Sequence, residues 1–262
     1  MRAAALHSCP VVLLLVAQLA VAQEPARDSG HVPPAPPAQP MPPMSDADMA
    51  SVMDMHDDPL LAMLKVDQLE RAFGDRGDAT AWDAEAWIGH DYDKLWLRSE
   101  GEREGGTTDA RIEAFWDHAF ASWWDWQLGV RRDVGGAASR NWAAFGVQGL
   151  APYWFEVEAT AYVGDGGRSA ARVRAEYELL LTQRLVLQPE LEANVYGRRD
   201  DARGVAAGLN DLDLGLRLRY EIRREFAPYV GIVRRWRFGN DSEEAASHGT
   251  DTELVAGVRV WF

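Results

Sequence analysis

The chain has 262 residues, with 27 Lys and Arg against 41 Asp and Glu, one Cys and 11 Trp. Its net charge of −14 argues against nucleic acid as a partner, because a phosphate-binding surface needs a basic excess. The lone Cys9 excludes an internal disulfide and, lying in the leader described next, leaves no thiolate nucleophile or metal ligand beyond it.

The chain opens Met1-Arg2-Ala3, runs apolar from Pro10 to Val21 and reads Ala20-Val21-Ala22 before Gln23. A charged start, a short apolar core and a small-x-small site predict a secretory signal peptide over residues 1–22. The run is too short for a membrane-spanning helix, and no long apolar run follows it. A secreted chain without such a helix can still enter a membrane as a closed barrel. Beyond the leader remain 26 basic and 41 acidic side chains, a balance that favours cations as partners.

Residues 23–60 are a second segment. Eight of the thirteen prolines lie between 23 and 58, and so Pro-rich a stretch cannot bury a core. It is expected to be disordered and periplasmic. Met41, Met44, Met49, Met53 and Met55 fall here with His31 and His56, and the tightest cluster is Met53-Asp54-Met55-His56-Asp57. In a packed domain methionine is mostly core filler, but this segment has no core to fill. Thioether and imidazole select Cu(I) and Cu(II) over hard cations. Met49, Met53, Met55 and His56 are therefore candidate metal ligands, with Met41 and Met44 secondary. Compositional drift is the competing reading.

Residues 61–262 alternate with period two. The predicted strands are 64–73, 81–89, 92–101, 109–119, 122–132, 140–149, 152–163, 169–181, 184–196, 209–222, 225–237 and 251–262. In residues 209–222, Leu212, Leu214, Leu216, Leu218, Tyr220 and Ile222 form one face, against Asp211, Asp213, Arg217, Arg219 and Glu221 on the other. Alternation over ten or more residues exceeds the usual soluble strand of about 5–6 and suits the roughly 9–11 residues of a tilted membrane strand. The last strand keeps Leu254, Ala256, Val258, Val260 and Phe262 on one face, as the closing strand of an outer-membrane barrel does. The predicted fold is all-β: a transmembrane up-and-down antiparallel β-barrel of 12 strands behind a disordered leader. Five connections are predicted as two-residue turns, alternating with longer loops at 74–80, 102–108, 133–139, 164–168, 197–208 and 238–250. Short turns belong to the periplasmic side, which places both ends of the barrel in the periplasm. Two aromatic belts are expected in contact with lipid, the one near the long loops comprising Trp82, Trp142, Tyr162, Tyr196, Trp236 and Phe238. Pro189 interrupts its strand pattern and is expected to mark a bulge or a break.

The inward face carries Asp83, Glu85, Glu113, Glu156, Glu158, Glu176, Glu178, Glu190, Glu192, Asp211, Asp213 and Glu221, opposed by Arg172, Arg174, Arg217 and Arg219. Either these groups satisfy one another as ion pairs, or they form a cation path or weak metal site. An enzyme is not expected. No His-x-Ser occurs to pair a base with a nucleophile on one strand face.

Several stretches resemble the copper resistance protein B family of outer-membrane proteins. They are residues 82–89 (WDAEAWIG), 94–102 (KLWLRSEGE), 146–153 (GVQGLAPY), 175–192 (AEYELLLTQRLVLQPELE) and 215–229 (GLRLRYEIRREFAPY). The resemblance spans roughly residues 55 to 262. It implies copper resistance and homeostasis at the outer membrane, with copper bound by a Met- and His-rich N-terminal segment, Cu(I) favoured here, and periplasmic copper-resistance proteins as partners. The N-terminal segment departs from the family pattern in being short, with one tight cluster instead of repeated Met-Asp-His motifs. A metal-independent structural or narrow diffusion barrel is the alternative.

Overall fold

The computed structural model describes residues 45, 58–74, 77–135, 138–238 and 250–262. Its strands are β1 (Leu61–Gly74), β2 (Gly77–Gly89), β3 (Asp93–Glu104), β4 (Thr107–Ala121), β5 (Trp124–Gly135), β6 (Arg140–Ala151), β7 (Phe155–Gly164), β8 (Arg168–Glu176), β9 (Leu179–Leu180), β10 (Leu185–Tyr196), β11 (Gly208–Tyr220), β12 (Phe226–Arg237) and β13 (Thr250–Trp261). Strand β9 resumes β8 after two residues, and both pair with β10. The result is twelve staves, each antiparallel to its neighbours, and β1 pairs with β13 to close the barrel. Closure pairs every edge, which lets a sheet exist in lipid. Among the described residues no helix is long and apolar enough to cross a membrane; the strands do so.

The alternation sets the two faces as the sequence predicts. In β11, Leu214 and Leu216 are 46 % and 45 % exposed, whereas Arg217 and Arg219, at the alternate positions that follow, are 6 % and 3 % exposed. Apolar side chains face outward and charges face the lumen, the reverse of a water-soluble domain.

Two local irregularities have physical causes. Between Val66 and Leu69 the register of β1 against β13 shifts, so Asp67 and Gln68 are both buried. The bulge thereby turns two consecutive polar residues inward. Pro189 does not break its own strand. It pairs with Leu216 in an unshifted stretch of the β10–β11 register, and on the other side its carbonyl accepts from Tyr177 N at 3.1 Å. Proline cannot return that bond, and the facing stave is interrupted there, between Glu176 and Leu179. The predicted break therefore falls one stave away.

The loops are shorter than the sequence suggests. Gly105 and Gly106, with φ of 57° and 90°, join Glu104 to Thr107 as a two-residue hairpin. Both central positions of that turn favour glycine. Strand β2 likewise begins at Gly77, paired with Gly74. The predicted loops at 74–80 and 102–108 are mostly strand, because polar residues continue the ladder beyond the apolar band. Among the described residues the longest connection between strands is 197–207. Both ends of the wall, the start of β1 and the end of β13, lie at the short-turn end, where Leu64 and Phe262 exchange backbone hydrogen bonds of 3.1 and 2.8 Å.

The aromatic belt also differs. At the short-turn end Trp116, Tyr153, Trp154, Phe155 and Tyr220 are exposed on the outside, as interfacial rings should be. At the opposite end Trp142 and Tyr162 are buried inside with Phe115, and Trp96 and Tyr196 pack against them. Trp82, next to the inward Asp83 and paired with Gly101, stays on the outer face as predicted, where a Cβ at Gly101 would overlap its ring. Trp142 and Tyr162 turn inward because their donors reach acceptors in the wall: Trp142 Nε1 to Asp133 at 2.9 Å and Tyr162 Oη to Glu113 at 2.7 Å.

Candidate functional site in the barrel lumen

The inward face is a continuous ionic network. Near the short-turn end Lys65 bridges to Glu85 at 2.7 Å, and Arg259 lies 2.9 Å from Asp67 and 2.7 Å from Glu178. Higher up, Arg217 donates to Glu70 and Gln68 at 3.0 Å and to Glu190 at 2.6 Å, and Tyr229 Oη donates to Glu70 at 2.9 Å. Arg172 holds Glu100 and Glu192 at 2.6 and 2.7 Å. Arg174 holds Asp83 and Glu190 at 2.7 and 3.0 Å. At the loop end Arg235 reaches Asp213 at 2.9 Å and Glu102 at 3.4 Å. Such pairs are bidentate or shared, the geometry arginine suits better than lysine. Two guanidiniums also lie over aromatic faces: Arg131 is 4.7 Å from the Tyr162 ring, and Arg98 is 5.4 Å from that of Phe115.

All twelve inward acids read from the sequence lie in the wall that faces the lumen. Eleven have partners there: besides those above, Glu85 has Lys65, Glu158 has Arg98 at 3.0 Å, Glu176 has Gln188 at 2.6 Å, Asp211 has Asn194 at 2.7 Å and Glu221 has Arg219 at 3.5 Å. Glu156 lines the short-turn cavity. Sequence reading missed Asp67, Glu70, Arg98, Arg111, Arg131, Arg235 and Arg259. Arg235 and Arg259 sit at regular inward positions of β12 and β13 and were recoverable from alternation; the bulge hides Asp67. The candidate ligands Met41, Met44, Met49, Met53, Met55 and His56 lie outside the described residues. Among the described residues no three His, Cys, Asp or Glu side chains converge as a metal site. His118 contacts Asp93 at 2.9 Å on the outer face, and His90 Nδ1 lies 3.1 Å from the Asp58 carbonyl; neither contact involves a hydroxyl.

Above the barrel the 197–207 connection is pinned down. Arg140 donates through Nε and Nη2 to both oxygens of Asp200, at 2.7 and 3.0 Å, and Arg203 Nη1 donates to the Ala138 carbonyl at 2.8 Å. The Arg140 hydrogen bonds hold the Asp200 carboxyl below the usual range despite some desolvation.

A family model described as copper resistance protein B precursor matches residues 60–262. The chain belongs to the copper resistance protein B family. It is 47 % identical over 212 residues to copper resistance protein B of Escherichia coli, covering 79 % of this chain and 72 % of that protein. It is 45 % identical over 248 residues to a copper resistance protein B homolog of Pseudomonas syringae pv. tomato, covering 91 % and 81 %. Among solved structures the NanC porin superposes with a TM-score of 0.54 at 10 % identity, covering 75 % of this chain and 98 % of that one; this likeness concerns the fold alone. Family membership and the closed, lipid-facing barrel make this an outer-membrane protein of copper resistance.

Proposed function

We propose that this member of the copper resistance protein B family holds copper on soft ligands ahead of the barrel. In this reading Met49, Met53, Met55 and His56 supply them, on the periplasmic side. The barrel anchors that segment and guards a cation path, with no catalytic step. Family membership together with the Met53-Asp54-Met55-His56 cluster carries the proposal. The start of β1 lies at the short-turn end, the periplasmic side of such barrels, which supports a periplasmic position for these ligands. The lumen offers carboxylates already engaged by arginine, which suit hard cations better than Cu(I).

The test is copper tolerance in cells relying on the protein for it. Replacing Met53, Met55 and His56 together with alanine lowers tolerance while leaving barrel levels intact. Unchanged tolerance would overturn the proposal and favour a metal-independent barrel. Thioethers release no proton on binding, whereas His56 must be neutral to ligate. Cu(I) binding therefore persists into mild acid, and only the His56 share fades below a pKa of roughly 6.5.

A further inference from the structure

Among the described residues the lumen widens toward both ends and is pinched between them. Two loop-side cavities of about 910 and 310 Å³ share Glu100, Arg111 and Glu192 in their walls. A short-turn cavity of about 350 Å³ is lined by Lys65, Glu156 and Trp123 among others. Between them lies a space of about 10 Å³, walled by Asp83, Arg98, Glu158, Arg172 and Arg174. That is roughly the space one water needs. Asp83 lines the loop-side, the short-turn and the waist spaces alike, so the waist is where the two halves meet.

The bonds that fill the waist are chords across the barrel, not rungs along the wall. Arg174 stands on β8 and Asp83 on β2, six staves apart in either direction around the ring. Their 2.7 Å contact therefore spans the full diameter. Arg172 on β8 reaches Glu100 on β3 at 2.6 Å, and Arg98 on β3 reaches Glu158 on β7 at 3.0 Å. Arg174 is anchored from behind by Glu190 on the adjacent β10, at 3.0 Å.

We infer that Arg172 and Arg174 are the gate of this lumen: side-chain struts from one stave that close the path by gripping carboxylates on the opposite wall. The backbone ring is not the obstruction, since both ends are wide. Removing the guanidiniums takes the ion-pair partner from Asp83 and Glu192 and one of two from Glu100 and Glu190, which leaves excess carboxylate charge around the narrowest point. Rings of carboxylates pass cations and repel anions, so the opened path is cation-selective. This rests on the lumen being an ion path and is independent of copper binding ahead of the barrel.

The experiment is planar-bilayer recording of the full-length protein in a KCl gradient, without copper. The unaltered protein is silent. Arg172→Gln/Arg174→Gln gives discrete openings whose reversal potential shifts toward that of potassium, and Arg174→Gln alone gives smaller openings of the same sign. Gel mobility with and without boiling establishes that each variant is folded, and the single variant serves if the double fails to assemble. A folded double variant as silent as its parent, or openings that prefer chloride, would overturn the inference. Copper tolerance in the Met53, Met55 and His56 variant decides the other reading separately.

Discussion

The outer wall and the lumen are built by the same strands under different rules. Along β11 the outward residues are Leu212, Leu214, Leu216 and Leu218, each meeting lipid. Any apolar side chain of similar size would serve there. The inward residues of that strand are individually specified: Arg217 is bound to Glu70 and Gln68 on β1 and to Glu190 on β10. The wall needs a period, whereas the lumen needs partners. The wall's tolerance explains why barrels of this shape recur at 10 % identity. The lumen is where this chain's own identity resides.

That contrast fails or sharpens with substitutions on the two faces of β11. Arg217→Ala should be the most damaging, because it strips Glu70 of its counter-charge in a buried site. Breaking a buried pair on one side costs about 3–5 kcal/mol, to be read as a lower unfolding midpoint in denaturant. Leu214→Arg, which puts a charge into the apolar band, should cost about 2–4 kcal/mol and reduce assembled barrel on the same gel assay. Leu214→Ile conserves volume and polarity and should stay within about 1.5 kcal/mol. If Leu214→Ile were as harmful as Arg217→Ala, the wall would be as specific as the lumen and the comparison would collapse.

The smallest effect is at the loop end. Asp200 has a depressed folded pKa, so its contribution is present above the unfolded value near 3.9 and is lost as pH falls through the folded one. The 197–207 connection should stay protected from limited proteolysis at neutral pH and open only in strong acid. Arg140→Ala should open it at neutral pH without changing barrel stability measurably.

Strand count, order and facing were legible in the sequence because membrane strands are long and keep a strict dyad pattern; all twelve predicted staves are found. Strand ends at the loop side were less legible. Residues such as Asp78 and Glu102 read as loop by composition but continue the ladder. Trp142 and Tyr162 were read as lipid anchors, since a sequence shows their rings but not the acceptors, Asp133 and Glu113, that draw them inward. The inward acids were legible as a set. Their pairings across the ring were not, because Arg174 and Asp83 are 91 positions apart and nothing local signals that they meet. The bulge at Asp67 breaks the dyad count and hid one buried acid from it.

The most direct test of the copper assignment is Cu(I) retention by the purified full-length protein against a competing chelator. It compares the unaltered chain with the variant carrying Met53→Ala, Met55→Ala and His56→Ala. The account predicts that the unaltered protein retains Cu(I) and that the folded variant loses most of it. Equal retention by the two would contradict it and move the copper into the lumen.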